Sequence, residues 1–295
     1  MKFKQITVVG VGLIGGSFAL AARKAQLAER ICGVDFEPAL KKACELGVVE
    51  GGDEALERGG VSGSDLIYLA APVGGIIDFL RTRGGRVRSG ALVTDAGSTK
   101  REVCRAACDL PPGVRFVGGH PMAGRHESGA EFASADLFRG APYAVVQSVG
   151  QEPADDAHSD AAELVAAIVR EIGGRPVFIS AERHDHVVAR ISHAPQMLST
   201  ALASVIARSG DSSMIELAGS GFGDMTRLAE SGWSVWEDIC RTNADEIAAA
   251  LKEMGLELEA ARRALDSRDL SPVGEAFEAA SKFVRLYRET RRRSA

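Results

Sequence analysis

Histidine is the side chain whose ordinary pKa, about 6.5, lets it take or give a proton near neutrality. His120 sits in the run GGHPMAG, residues 118–124, between glycines and a proline. That backbone reads as a loop, and a histidine on it is either a working group or an idle surface residue. Ser98, in DAGSTK (95–100), places a hydroxyl at the carboxyl edge of an expected strand. It reads as a group in the crevice there, or as the cap of a helix starting near Thr99. His184, His186 and His193 invite a metal reading, because His186 and His193 share a helix face. No acid–histidine pair at helical spacing completes a ligand set, so no metal is expected and His184 and His186 read as core or surface histidines. Cys32, Cys44, Cys104, Cys108 and Cys240 are odd in number and lack a CxxC pair. They point to reduced thiols used for packing in a cytoplasmic protein.

The elements that must position these groups alternate between strand and helix. ITVV (6–9) is a β-branched run followed by GVGLIGGS (10–17) and an apolar helix. Gly10, Gly12 and Gly15 match GxGxxG, and with Leu13 and Ile14 they form the expected cradle for a pyrophosphate at a helix N-terminus. ICGVD (31–35) ends in Asp35, about 20 residues on, where an acid would hold the ribose 2′-hydroxyl of NAD and repel the 2′-phosphate of NADP. Phe36, Glu37 and Pro38 follow, with no cation among them. NAD is therefore expected over NADP. The simpler reading of Asp35 is a helix cap. DLIYLAAPV (65–73) reads as a buried strand whose end, Ala71-Pro72-Val73, faces the same cofactor. Strands are also expected at 91–94, 115–117, 143–147 and 175–179. The turn at Gly10, the loop at Pro72, Ser98 and His120 then project from strand ends on one side of one sheet.

After Ser180 the strand signal stops. Residues 182–208 have helical period, with a kink expected at Pro195. A glycine-rich loop (216–232) carries Asp224 and Arg227, and two long helices follow at about 234–266 and 272–291. The fold class is thus α/β: an N-terminal Rossmann-type, mostly parallel sheet in residues 1–179, and a C-terminal all-helical substrate and dimerisation domain in 180–295. The second domain has more apolar positions than two helices can bury alone, which implies a homodimer.

The chain has 295 residues and a net charge of −5, and the only basic cluster, Arg291-Arg292-Arg293, is terminal. A nucleic-acid binder would carry a basic stripe. The N-terminus mimics a secretory leader, with 18 uncharged residues after Lys4. Gly10, Gly12, Gly15 and Gly16 break the apolar helix such a leader needs. No other stretch is long and apolar enough to span a membrane.

GLIGGS, DAGSTK, GGHPMAG, ISHAP and GFGDMTRLAES-x4-W, spread from Gly10 to Trp236, resemble the bacterial prephenate and arogenate dehydrogenases of tyrosine biosynthesis. The resemblance implies NAD(P)-dependent oxidative decarboxylation of a cyclohexadienyl acid: prephenate to 4-hydroxyphenylpyruvate, arogenate to tyrosine, or both. It implies a dimer built from the helical domain. By the family's pattern His120 accepts the proton of the ring 4-hydroxyl and Ser98 hydrogen-bonds that hydroxyl. Arg227 forks a substrate carboxylate, unless it only pairs with Asp224 on the surface. His193, Gln196, Asp224 and Trp236 shape the same pocket.

Two departures bear on substrate choice. Many relatives that use prephenate have a second histidine where this chain has Gln196, which hydrogen-bonds but cannot carry charge. Arg125 stands where relatives often have another residue and supplies a cation nearby. Competing readings are another dehydrogenase or imine reductase with a helical second domain, or a non-catalytic NAD sensor. The first would lean on a catalytic lysine, and beyond Lys100 only Lys252 and Lys282 remain.

Overall fold

The computed structural model describes residues 2–51, 61–124, 127–147 and 156–293. The strands are β1 (Phe3–Val9), β2 (Ala28–Val34), β3 (Leu66–Leu69), β4 (Leu92–Asp95), β5 (Arg115–Pro121), β6 (Pro142–Gln147) and β7 (Arg175–Ser180). Helices α1 (Leu13–Lys24), α2 (Glu37–Glu45), α3 (Val73–Thr82), α4 (Arg101–Ala107) and α5 (Asp156–Glu171) lie between them. The strands form one seven-stranded sheet in the order β2-β1-β3-β4-β5-β6-β7. All neighbours are parallel except β5 and β6. Two apolar clusters cover the sheet, one around Phe18, Tyr68 and Val165, the other around Ile67, Ile76 and Val103. Residues 5–22, which mimic a leader, build β1 and α1, and their Ile6, Val8, Phe18 and Ala22 belong to the first cluster.

The chain order reverses at β1, which is flanked by β2 and β3. Such a switch point opens a crevice at the carboxyl ends of the strands. Gly10, at the end of β1, has φ +89°, a backbone state that favours glycine. A Cβ there would also lie 2.6 Å from the Ala70–Ala71 peptide at the end of β3. The glycine turn and the Ala71-Pro72-Val73 loop are therefore pressed together at the crevice.

The run 118–124 is less irregular than its glycines imply. β5 continues through His120 to Pro121, which corrects the expectation of a strand ending at Val117. Arg115 to Val117 pair with β4, then Gly118 to Pro121 pair antiparallel with β6, with His120 opposite Ala144. A change of partner halfway along allows the strand to outrun β4. Gly119 is required by close approach: a Cβ there would collide with the Asp95 carbonyl.

β7 ends at Ser180, whose hydroxyl accepts the Arg183 N–H and caps α6 (Ala181–Val188). The expected kinked helix is α6, a π-helical turn at Ala189–His193, and α7 (Ala194–Ser209) with Pro195 in its first turn. The break precedes the proline, because proline is tolerated where a helix starts and its missing N–H costs nothing. The expected loop at 216–232 is mostly helical as well: α8 (Ser212–Glu216), α9 (Ser220–Thr226) and a 3-10 turn at Arg227–Glu230. The expected helix at 234–266 is split by Asn243 into α10 (Trp233–Thr242) and α11 (Ala244–Ser267), and α12 (Ser271–Arg293) closes the chain. Among the described residues no helix is long and apolar enough to cross a membrane.

Candidate active site

The first helix turn of α1 follows Gly12, whose side-chain-free position meets nothing within 4 Å, and no side chain caps the helix. Its leading N–H groups and positive dipole end are open to an anion. Asp35, just past β2, accepts the Val11 N–H and the Phe36 N–H, each at 2.8 Å. It ties the glycine turn to the strand end and keeps lone pairs for a ribose hydroxyl. α2 has Phe36, not Asp35, as its cap residue. The cradle, the acid and the neighbouring Pro72 loop suit a dinucleotide.

Ser98 lies half-buried in the turn after β4. It is not a helix cap, since α4 starts at Arg101 and has no side-chain cap. Beneath this turn Lys100 and Asp95 form an ion pair with both side chains wholly buried. The Asp95 carboxylate also accepts the N–H groups of Gly97 at 2.8 Å and Gly119 at 3.0 Å. This satisfied buried pair pins β4 to β5 beside His120.

His120 is half-buried, and its Nδ1 lies 2.9 Å from His184 Nε2. Desolvation by burial holds the His120 pKa well below the usual histidine value, helped by the charges of His184, Lys100 and His193. His184 Nδ1 in turn lies 2.8 Å from Asp185 Oδ1. Burial lowers His184 too, against the pull of Asp185. From sequence His184 reads as a core or surface histidine, and its place beside His120 comes from the fold. The available signal was the adjacent acid, His184-Asp185, at the start of the first helix after the sheet.

The helical region reaches the sheet at several points. The Asp185 carboxylate accepts the backbone N–H groups of Lys100 at 2.7 Å and Arg101 at 2.9 Å. Asn243 donates to the Asp185 carbonyl at 2.9 Å and to His193 Nδ1 at 3.3 Å, and accepts from Arg101 at 3.0 Å. Asp238 accepts the Gly74 N–H, and the hydroxyls of Thr242 and Thr99 meet at 2.7 Å. Burial pulls the His193 pKa down to about 4, so this ring is neutral at pH 7. His193 stands edge-on to Trp236 with ring centres 5.8 Å apart.

Trp236, Gln196, Arg227 and Leu228 line a cleft of ≈ 450 Å³ together with Gly124, four residues past His120. Gln196 is buried there and its amide donates to the Leu228 carbonyl at 2.7 Å and to Thr200 at 3.3 Å. Two expectations change. Asp224 is exposed and does not line the cleft, because 220–230 is helix and 3-10 turn rather than open loop, and Arg227 and Leu228 are its residues on the cleft side. His193 is buried behind Trp236 instead of forming the wall. Arg125 lies outside the described residues. Lys252 and Lys282 are exposed on α11 and α12.

Residues 18–178 match the family described as prephenate dehydrogenase, nucleotide-binding domain, and residues 180–279 match its dimerisation domain. The chain belongs to the prephenate dehydrogenase family. Prephenate dehydrogenase of Bacillus subtilis is 31% identical over 283 residues, which span 94% of this chain and 74% of that relative. The crystal structure of prephenate dehydrogenase from A. aeolicus, in complex with hydroxyphenyl propionate and NAD+, superimposes with a TM-score of 0.86 at 27% identity. The match covers 96% of this chain and 98% of that one. Synechocystis arogenate dehydrogenase gives a TM-score of 0.80 at 25% identity, covering 96% of this chain and 99% of that one. As a member of the prephenate dehydrogenase family the chain is an oxidoreductase with a nicotinamide dinucleotide as cofactor, and its second domain is of the family's dimerisation type.

Proposed function

We propose that the protein catalyses the NAD-dependent oxidative decarboxylation of prephenate or arogenate, with His120 as proton acceptor. The observation that carries this reading is a neutral, half-buried His120 on the same sheet edge as the glycine turn, beside a cleft that holds Arg227 and Trp236. Burial keeps the His120 imidazole unprotonated at neutral pH, which is the state a proton acceptor needs.

NAD, when bound, supplies the hydride acceptor. Gly10, Gly12, Leu13, Ile14 and Gly15 would hold its pyrophosphate, with Ala71, Pro72 and Val73 along the adjoining edge. Asp35 would hold a ribose hydroxyl and repel a 2′-phosphate, which favours NAD over NADP. His120 takes the proton of the substrate's 4-hydroxyl as the ring carbon beneath it is oxidised. Ser98 hydrogen-bonds the same hydroxyl. The ring carboxylate then departs as carbon dioxide, and aromatisation drives its loss. Arg227 clamps a substrate carboxylate as a planar fork. Gln196 and Trp236 border the substrate, and His193 backs Trp236.

Residues 1–179 bind the dinucleotide and 180–295 supply the substrate cleft and a homodimer contact. Phe277, Phe283 and Leu286 of α12 are each more than 60% exposed in the single chain, as a face awaiting a second copy would be. An odd number of cysteines with no CxxC pair fits the reducing cytoplasm.

The test is direct. The protein is mixed with NAD and either prephenate or arogenate, and absorbance of the reduced nicotinamide is followed. Turnover of one or both supports the reading, and the ratio of kcat/KM values names the preferred substrate. No reduction with either substrate, from mildly acid to mildly alkaline pH, defeats it.

A further inference from the structure

His120, His184 and Asp185 form a chain of two hydrogen bonds, 2.9 Å and 2.8 Å long, that ends on a wholly buried carboxylate. We propose that His184 and Asp185 are positioning residues that fix His120 as its Nδ1–H tautomer, aim its Nε2 lone pair at the substrate hydroxyl, and share the proton it receives. The role given to His120 rests on the proposed function above. The placement of the protons does not.

The direction of each bond follows from the carboxylate end. Asp185 Oδ1 accepts the Lys100 N–H, and Oδ2 accepts the Arg101 N–H and, at 3.3 Å, the Arg101 Nε–H. Burial alone raises the pKa of Asp185, but His184 and the two N–H groups more than offset this and leave it below the usual carboxylate range. An ionised carboxylate only accepts. His184 Nδ1 must therefore carry its hydrogen. His184 is neutral, so its Nε2 is a lone pair, and among the described residues the group at 2.9 Å that fills it is an Nδ1–H of His120. His120 is neutral as well, which leaves its Nε2 bare. Any other order sets two hydrogens or two lone pairs face to face.

The same chain resolves a tension in the site. Burial makes His120 a poor base, since an isolated buried imidazolium is expensive. When Nε2 of His120 takes the substrate proton, the O–H bond breaks and an Nε2–H bond forms. The Nδ1–H of His120 then passes to His184 Nε2. His120 is left neutral, and the positive charge rests on His184, in contact with Asp185. Two protons shift, each along one hydrogen bond, and the net result is a single positive charge on His184; no electrons are exchanged, and Asp185 stays ionised throughout. Among the described residues, the other charged or titratable groups facing the pair are Lys100 and Asp95 below β5, Arg101 on α4 and His193 on the π-helical turn. Lys100 and Asp95 pair with each other. Asp185 is then the anion in direct contact with the histidine pair.

The experiment reads the protons first. Protein labelled with ¹⁵N at histidine is examined by long-range ¹⁵N–¹H correlation, with His120→Asn and His184→Gln used to assign the two rings. Both rings should be Nδ1–H, the less populated form of histidine in water. A His120 ring carrying its hydrogen on Nε2 overturns the proposal. Kinetics follow. Asp185→Asn lets an amide N–H donate to His184 Nδ1, which flips both rings and sets a hydrogen where the lone pair is needed. A loss in kcat on the order of 10⁴, as for a wrong tautomer in a catalytic triad, is expected, with both KM values changed less than about threefold.

Asp185→Asn also touches the Lys100 and Arg101 backbone, so a second pair of variants guards against misfolding. In His184→Gln the side-chain carbonyl still accepts from His120 but takes no proton. In His184→Leu it does neither. Activity should fall in the order wild type, Gln, Leu, with the acid limb of the kcat profile displaced in both variants. An unchanged pH profile in His184→Leu overturns the proposal. If the wild type oxidises neither substrate, the proposed function fails while the ¹⁵N spectrum still decides the proton placement.

Discussion

Asp238 and Gly74 meet across the seam between the sheet and the helical region, the carboxylate accepting the Gly74 N–H at 2.7 Å. Gly74 lies in the first turn of α3, directly after the Pro72 loop, and Asp238 lies on α10 two residues past Trp236. The dipole end of α3 is thus capped by a side chain from the substrate half of the molecule. A Cβ at Gly74 would stand 2.9 Å from both carboxylate oxygens. Gly74→Ala should destabilise the protein by about 1–3 kcal/mol, the usual range for overpacking. Thermal unfolding at fixed protein concentration checks this, and an unchanged midpoint would mean that the seam yields without cost.

His120→Asn removes the proton acceptor and keeps a polar side chain of similar reach. kcat should fall by about a hundredfold or more on the general-base scale. NAD affinity, measured by fluorescence titration, should stay within about threefold, because Gly10 and Asp35 are at the other end of the crevice edge. A tenfold loss of NAD binding would mean that His120 has been assigned to the wrong ligand.

Arg227→Lys keeps the charge and discards the planar fork. The expected result is a KM for the cyclohexadienyl substrate raised about tenfold or more, with kcat changed far less. Equal loss in kcat and kcat/KM would instead place the Arg227 contact in the transition state alone.

Asp35→Ser shortens the acid that faces the ribose and removes its charge. KM for NAD should rise and NADP should become usable, so the ratio of kcat/KM values for the two cofactors should narrow by about tenfold, roughly 1.4 kcal/mol. Steady-state rates with both cofactors decide the matter. An unchanged ratio would return Asp35 to the purely structural task of holding the Val11 and Phe36 N–H groups.

Acid should unfold the protein earlier than its carboxylates alone require. Burial pulls His193 down to about 4 and also lowers His120 and His184. An unfolded chain has histidines near 6.5 and so binds more protons than the folded one below that pH. The stabilisation is complete above about pH 6.5 and is lost as pH falls toward 4, by up to about 1.4 kcal/mol per pH unit for each such histidine. Melting temperatures between pH 7.5 and 5, flatter in His193→Gln, test the sign and the source.

The glycine turn, Asp35, the Pro72 loop and Ser98 were legible because each is a local pattern at the end of a strand. Strand order follows from the βα alternation, and the crevice follows from strand order. His184 was not legible. Its neighbour Asp185 looks like any solvated acid on a helix, and only folding brings His184 against a strand 64 residues earlier. The extension of β5 through His120 was hidden for a similar reason. Glycines and proline suggest a loop, whereas antiparallel pairing with β6 supplies the hydrogen bonds that keep the strand going. Asp224 was placed in the pocket from its motif, and the helical spacing of 220–230 turns it outward.

The π-helical turn at Ala189–His193 has a consequence for how the cleft was assembled. A π turn is one residue more than an α-helix needs for the same length. Removing a residue there, such as the exposed Ile191, would let α6 and α7 run on as one regular helix. Everything beyond would rotate by about 100° about the axis relative to α6. Gln196 would leave the cleft, and His193 would part from Asn243, while His184 and Asp185 stayed where they are. The azimuth between the proton-handling end of this segment and its substrate-reading end is therefore set by a single surplus residue. That is a coarse adjustment, and it is available to insertion or deletion but not to any one substitution.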